Sequence, residues 1–297
     1  MAASSTTVDL SRLPAPTFVE QRSFEEILAD IIARVQQLLP SFDATVDSDP
    51  AVKVLQVAAY REFLLRRAFQ DAALQLLVAY ATGAGLDHLG ALVGVARLVI
   101  QPADEVTGAA AVMEADDPFR QRIVLAPESF SSAGPELAYV AHAKSASAEI
   151  LDASATSPAP GRVLVSILSN TGDGSASPEL VAAVDAIVND KAIRPLGDLV
   201  TTASATIVPF EIRASIVTFS GPDIALVLNS AYAALAAYLG DNRKLGRAIT
   251  RSGLIAALTV PGVHRVDLAS PAADVACDPT QAAWNTSAVL DHGGYAA

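Results

Sequence analysis

The feature that most limits how this chain can fold is a long helical segment that begins at Asp49-Pro50. Aspartate before a helix and proline at its first position form a start signal, because the carboxylate accepts free backbone N–H groups and proline has none to satisfy. The apolar pattern that follows predicts a helix to about residue 82, where Gly83 and Gly85 end it.

Apolar residues on this helix occupy more than one face. One stripe recurs at spacings of four, seven, four, three and four residues, which places its members on a single face: Val54, Ala58, Leu65, Phe69, Ala72 and Leu76. Four further apolar residues lie off that stripe: Val57, Phe63, Leu64 and Leu77. Since one packing face cannot cover both sets, the sequence predicts that the helix contacts more than one neighbour. Another chain is a candidate for one of these neighbours.

The whole sequence predicts an α+β fold with a helical N-terminal region, two small mixed α/β subdomains and an extended C-terminal tail. The predicted parts are an extended arm at 1–22, the helical region at 23–98, a middle subdomain at 99–198, a C-terminal subdomain at 199–270 and the tail at 271–297. Pro14 and Pro16 favour extended backbone in the arm. Ser23 and Glu26 form a capping box that opens the first helix, which we expect to run to about Leu39.

The two subdomains are predicted from apolar runs and turn residues. In the middle subdomain we expect helices at 119–125, 135–147 and 178–189, with strands at 148–153 and 162–168. In the C-terminal subdomain we expect strands at 200–207, 210–219 and 263–268, with helices at 222–239 and 250–258. The last residues are polar and rich in turn formers, which predicts the extended tail.

Composition narrows the partners and the compartment. A net charge of −12 and a pI near 4.7 disfavour binding to nucleic acid and to anionic lipid, so the partners should be proteins or neutral ligands. A single cysteine, Cys277, cannot form an internal disulfide, and the first thirty residues do not resemble a signal peptide. The apolar run at 224–240 contains Asn229 and Ser230, which favours a helix of a soluble protein over a membrane span.

The common catalytic motifs are absent from the sequence. It has no Gly-Lys phosphate-binding pair, no serine nucleophile motif, and His88 stands where Gly83-Ala84-Gly85 would need a third glycine. The four histidines are too widely spread for a helical metal pair. Asp116-Asp117, which precedes Pro118, is interpreted as a helix N-cap, and Asp173, which lies between two glycines, as a tight turn. We therefore predict no catalytic, cofactor-binding or metal-binding residue and no enzymatic activity.

A resemblance to a known family extends along almost the whole chain. The matching segments, in order, are Asp9–Pro16, Phe24–Leu28, Ala59–Glu62, Gly85–Gly90 with Gly94 and Arg97, Phe119–Ile123, Ser132–Gly134 with Tyr139, Thr156–Pro158, Arg194–Asp198, Leu245–Arg247 and Pro261–Leu268. In these segments the chain resembles the baseplate J-like family, the baseplate assembly proteins of contractile phage tails and related injection systems. The Ser/Thr-rich leader and many alanine substitutions depart from the family pattern.

The resemblance implies a structural subunit of the baseplate wedge in a virion tail or tail-like particle, assembled in the bacterial host cytoplasm. Its implied partners are a second copy of itself and an I-like wedge protein, with the sheath initiator and the hub and spike proteins nearby. The family has no known catalytic residues or required cofactor. Leu55, Phe63, Leu65 and Phe69 are the candidate residues of a helical bundle between subunits, and ordinary intrachain core is the alternative for them.

Two other functions are weighed against this one. A cytosolic hydrolase without a local motif predicts a deep pocket that holds hydrogen-bonded titratable side chains. A small-ligand-binding module predicts a largely apolar pocket. An assembly subunit predicts large apolar surfaces that remain exposed on the isolated chain.

Overall fold

The protein forms two compact units, which divide between Ala96 and Arg97. The computed structural model describes residues 10, 13–43, 46, 48–104, 107–131, 133–221 and 223–296. Most of the predicted Ser/Thr-rich leader, and Ser132 of the matching segments, lie outside the described residues. Helices and small mixed sheets make up the described chain, which confirms the predicted α+β class and its helical N-terminal region.

The N-terminal unit consists of helices α1 (Phe24–Leu38), α2 (Pro50–Leu74) and α3 (Gly83–Leu92). The capping box is present, since the Ser23 hydroxyl accepts the Glu26 N–H and the Glu26 carboxylate accepts the Ser23 N–H at 2.8 Å. Asp49 accepts the Ala51 N–H at 2.7 Å, as the start signal predicts. The buried apolar residues of this unit are Ile27, Val52, Ala59, Ala81 and Leu86.

The long helix ends earlier than predicted. It stops at Leu74, turns follow to residue 80, and Gly83 and Gly85 belong to α3 rather than to the end of α2. Gln75, the residue after α2, holds the returning chain, because its side-chain oxygen accepts the Thr82 N–H at 2.9 Å. A Cβ at Gly85 would lie 3.0 Å from that oxygen, so glycine allows the close approach.

The middle domain begins with a two-stranded sheet and ends with a three-stranded one. Its elements are β1 (Val99–Gln101), β2 (Val112–Met113), α4 (Asp116–Leu125), a 3₁₀ helix (Ala126–Phe130), α5 (Glu136–Lys144), β3 (Ile150–Ala159), β4 (Arg162–Ser169), α6 (Pro178–Val188) and β5 (Leu199–Ser204). In the order β3-β4-β5, β3 is antiparallel to β4 and β5 is parallel to it. Residues from α5 and α6 fill the core against this sheet, among them Tyr139, Ala143, Leu180, Val184 and Val188.

β5 corrects the predicted boundary between the two subdomains. We expected the strand after residue 199 to open the C-terminal subdomain, but it pairs with β4 from Arg162↔Leu199 to Ile167↔Ser204. Val200 is buried in the same core as Val165 and Ile167. The reason is the α6 crossover, which brings the chain back to the same sheet as a parallel neighbour. The middle sheet therefore extends to Ser204 and does not end at 198.

The C-terminal domain contains β6 (Thr206–Thr218), α7 (Ile224–Asp241), α8 (Arg251–Leu258), β7 (Val263–Ser270) and β8 (Gln281–Tyr295). The strand order is β7-β6-β8, with β7 antiparallel and β8 parallel to the central β6. Both helices pack on this sheet around Ile212, Ile216, Ala231, Leu254 and Leu258, which are almost fully buried.

The predicted extended tail is not a separate part of the chain. Residues 281–295 are extended, but they form β8, which pairs with β6 from Thr206↔Gln281 to Thr218↔Tyr295. Ala282 and Leu290 of this strand are buried. The sequence did not predict this strand because many of its residues are polar. Some of these polar side chains, such as those of Ser287 and Asp291, are exposed in β8.

By length and composition alone, α7 could cross a membrane, and it is the one such helix in the described part of the chain. Its inner stripe of Val227, Ala231 and Leu235 is buried in the core under β6. Spacings of four residues place these side chains on one face. We interpret α7 as an amphipathic core helix whose exposed side is built mainly from small uncharged residues.

Candidate assembly interface

The inner side of α2 is covered within the N-terminal unit. Val52 and Ala59 are buried, and α1 packs along this side of the helix. Leu55 and Phe63 occur on the same helical face, at spacings of three and four residues from Val52 and Ala59, and both are half-buried. The Phe63 ring stacks on Tyr60 with 6.5 Å between centroids, and the Arg67 guanidinium lies 4.9 Å from the Phe63 ring centre.

The predicted arm continues this cover beyond the start of α1. The Gln70 amide binds its backbone three times, accepting the Phe18 N–H at 2.8 Å and the Val19 N–H at 3.3 Å while donating to the Pro16 carbonyl at 2.7 Å. Arg66 donates to the Glu20 carbonyl, and the Tyr80 hydroxyl donates to the Leu13 carbonyl. Sequence analysis missed this role of Gln70, because a lone glutamine on a helix carries no signal of what it binds.

The outer side of α2 is exposed to solvent. Every member of the predicted stripe is exposed, and the exposed fraction of the residue is 68% for Val54, 53% for Leu65, 65% for Phe69 and 74% for Leu76, which follows the helix. Val57 and Leu64 extend this exposed area toward one flank. We name the six stripe residues the outer stripe. This row of exposed apolar residues makes the outer side of α2 a candidate contact site for another protein.

The four candidate residues therefore fall into two pairs. Leu65 and Phe69 lie in the outer stripe and are available to another chain, whereas Leu55 and Phe63 lie on the inner side of α2. Val54 and Leu76 are more exposed than either Leu55 or Phe63. Val54 and Leu76 both belong to the predicted stripe.

The outer stripe lies on a basic element of an acidic protein. Helix α2 carries four basic residues, Lys53, Arg61, Arg66 and Arg67, against two acidic ones, so its formal charge is +2 while that of the chain is −12. Arg66 pairs with Glu62 at 2.8 Å. Arg61 and Arg67 are exposed. A partner with acidic residues beside its own apolar stripe would be complementary to this helix.

A shallow open groove of about 340 Å³ lies beside α2 and is lined by Phe24, Lys53, Gln56, Val57, Tyr60 and Arg61. It does not enclose a ligand in the way that a small-molecule pocket does. Within the described residues, no group of three or more His, Cys, Asp and Glu side chains is placed to hold a metal ion.

The acidic residues considered for chemistry have structural partners. Asp116 and Asp117 are the first residues of α4, whose N-cap is Ala115, so the N-cap interpretation is wrong. They pair instead with Arg97 and Arg120. Asp173 forms the predicted turn by accepting the Ser175 N–H at 2.9 Å, and this hydrogen bond lowers the pKa of the Asp173 carboxyl. Burial lowers the pKa of the His142 imidazole.

Comparison with known proteins identifies the family. Profiles of three domains match in order: the Baseplate J-like N-terminal domain at residues 47–104, the Baseplate J-like central domain at 131–204, and the Baseplate J-like protein C-terminal domain at 210–285. The chain belongs to the baseplate J-like family.

Baseplate protein J of Escherichia phage P2 is a relative of this J-like chain. The two are 40% identical over 296 residues, which covers 97% of this chain and 98% of the phage P2 protein. The central-domain match ends at the last residue of β5, in agreement with the sheet boundary, and the N-terminal match contains the whole of α2. The candidate interface is thus part of the family's shared sequence.

Proposed function

We propose that this chain is a structural wedge subunit of a phage baseplate or a related tail-like particle, and that it acts by assembly rather than by catalysis. Family membership and the relative in phage P2 support a structural role in the virion tail baseplate. The observation that carries the finer proposal is the outer stripe, which stays exposed although α1 and the arm cover the inner side of α2.

The outer stripe packs against helices of neighbouring subunits in this proposal. The partners are an I-like wedge protein and a second copy of the chain, in a ring around the hub and spike with the sheath initiator close by. Assembly takes place in the host cytoplasm before the particle is complete. The exposed outer stripe favours this function over a hydrolase or a ligand-binding module, because those functions depend on a pocket rather than on an exposed apolar surface.

The test is co-purification with the I-like wedge protein of the same particle. We expect the double substitution Leu65→Asp and Phe69→Asp to reduce capture at least about tenfold, because each buries a charge in an apolar contact. The far-UV circular dichroism and the midpoint of thermal unfolding should stay unchanged, since both positions are exposed. Leu226→Asp on α7 is the matched control, because Leu226 is 67% exposed outside the outer stripe.

Capture that survives the double substitution would contradict the proposed interface, and so would a variant that loses its fold. Phe63→Asp provides a further comparison. Because Phe63 is half-buried beside Tyr60, we expect this variant to lower the unfolding midpoint as well as capture. Electron microscopy of the assembled particle, with this chain traced at the tail end, would test the location.

A further inference from the structure

The loop at residues 242–247, between α7 and α8 of the C-terminal domain, reaches across to the middle domain. An Arg243 guanidinium nitrogen donates to the Gly172 carbonyl at 2.9 Å, and the Leu245 N–H donates to the Asp152 carboxylate at 3.0 Å. The other Asp152 oxygen faces the Lys144 ammonium at 3.5 Å. Leu245-Gly246-Arg247 is one of the family-like segments.

The same loop is fastened firmly to its own domain. The Arg243 guanidinium lies 4.5 Å from the centre of the Trp284 ring on β8, a cation–π arrangement. The Gly246 N–H donates to the Gln281 carbonyl at 2.9 Å, and Arg247 donates to the Asn242 side chain at 2.9 Å. The loop therefore bridges α7, β8 and the middle domain.

The apolar contact beneath the loop is small. Leu168 of β4, Ala205 and Ala282 of β8 form a separate buried cluster, with Leu151, Ile207 and Leu245 packed against it. It is closely packed, since a Cβ at Gly174 would lie 2.5 Å from Leu168 Cδ1. Two domains joined only by so small a cluster would be expected to move relative to one another. The polar contacts of the loop oppose that motion, and so does a hydrogen bond outside the loop, in which the Ser154 hydroxyl of β3 donates to the Pro279 carbonyl.

Burying the Arg243 guanidinium costs free energy unless its charge makes favourable contacts. Its Nε is buried without a hydrogen bond. Burial lowers the pKa of the Arg243 guanidinium, and the charge of Asp173 acts in the opposite direction. Arginine nevertheless keeps its charge in proteins. The charge thus remains between the Trp284 ring and the 172–173 turn, where it links one domain to the other.

We propose that the 242–247 loop is a latch that makes the middle and C-terminal domains one rigid body. This inference goes beyond the wedge assignment and does not depend on any partner. It implies that residues 97–297 keep one internal arrangement, and that conformational changes of the subunit take place outside this internal interface.

The test uses the full chain with Arg243→Ala, and Arg265→Ala as the matched control. Arg265 belongs to the same domain, is 62% exposed and pairs only locally with Asp267 two residues away. In Arg243→Ala we expect backbone amides of the 170–174 turn and of β3 near Asp152 to exchange hydrogen about 10- to 100-fold faster, since a charge-assisted hydrogen bond across the interface is lost. Fluorescence of Trp284, the single tryptophan of the chain, should shift to longer wavelength. Arg265→Ala should change neither.

Unchanged exchange in the middle domain, with a shift of Trp284 fluorescence alone, would overturn the proposal, because Arg243 would then only cover the indole. Asp152→Ala tests the latch from the other side, because it removes the oxygen that accepts the Leu245 N–H. We expect the amides of Leu245 and Gly246 to exchange hydrogen faster in this variant while β6–β8 stay protected. Unchanged exchange at Leu245 and Gly246 would also overturn the proposal, and if Arg243→Ala fails to fold, Asp152→Ala decides the question.

Discussion

Single residues fix the turn at 194–198, one of the family-like segments. The Tyr139 hydroxyl of α5 donates to the Asp198 carboxylate at 2.7 Å, and the Arg194 guanidinium donates to the Asp198 carbonyl. Gly134 has a φ of +69°, and a Cβ there would lie 2.6 Å from the Pro195 ring. Two segments that are distant in sequence, residues 134–139 and 194–198, thus meet at one place.

We expect the Tyr139 phenol to make the stability of the fold depend on pH in the alkaline range. Burial, together with the hydrogen bond to Asp198, raises the pKa of Tyr139 above its ordinary value. The folded protein therefore holds this proton at a pH where the unfolded chain has released it, and stability falls as pH rises above about 10. We expect Tyr139→Phe to destabilise the protein by about 1 kcal/mol at pH 7 and to remove this alkaline loss.

Urea unfolding between pH 7 and 11 measures the effect. The gap in unfolding free energy between the native chain and Tyr139→Phe should narrow as pH rises above about 10. Tyr295→Phe is the control for removing a phenol hydroxyl from an exposed position, since Tyr295 is 55% exposed. A gap that stays constant up to pH 11 would show that the raised pKa of Tyr139 has no thermodynamic effect.

At the scale of elements, two segments differ between their inner and outer sides. Helix α2 buries Val52 and Ala59 and exposes Leu65 and Phe69, so its stability as part of the unit and its proposed contact with other chains depend on different residues. Strand β8 shows the same division with the period of a strand, because neighbouring side chains point to opposite faces.

Substitutions in β8 can distinguish a paired strand from a free tail. Leu290 is 6% exposed and belongs to the C-terminal core, whereas the adjacent Val289 is 43% exposed. We expect Leu290→Ala to lower the free energy of unfolding by about 2–4 kcal/mol, because it leaves a cavity beside β6. Val289→Ala should cost less than about 1 kcal/mol. Thermal and urea unfolding of both variants measure this, and two equally small effects would argue for a free tail.

At the scale of the whole molecule, the dominant quantity is the net charge of −12. Exposed ion pairs such as Arg213–Glu211 and Arg265–Asp267 contribute little to stability. The buried pair of Arg122 and Glu114, with exposures of 7% and 5%, belongs to a local cluster at α4 and is shielded from salt. Repulsion among the surplus carboxylates is therefore the electrostatic effect that salt should change most.

We expect sodium chloride to stabilise the isolated chain. Screening weakens like-charge repulsion in the compact state, so the midpoint of thermal unfolding should rise by roughly a few degrees between 10 and 300 mM salt. Differential scanning calorimetry at pH 7 measures the midpoint. A neutral osmolyte at matched osmolality serves as the control for general solvent effects, and a midpoint that falls with salt would contradict this view.

The sequence by itself determined most of the helices. Ser23 with Glu26, Asp49 with Pro50, and Ser177 with Pro178 start helices where predicted, because a cap satisfies backbone groups only a few residues away. The apolar stripe of α2 was also visible, since its period is a local property. The family resemblance was readable for the same reason, as an ordered series of short segments.

Only the tertiary structure decided which strands pair and which side of α2 stays bare. The sheet to which β5 belongs, and the pairing of β8 with β6, depend on contacts between residues far apart in sequence. The positions of α1 and the arm decide which of four residues face outward: Leu55, Phe63, Leu65 and Phe69. The arm is held by Gln70, which binds backbone groups, and the sequence gives no indication of such contacts. Local patterns specify hydrogen bonds within an element, whereas burial is a property of its neighbours.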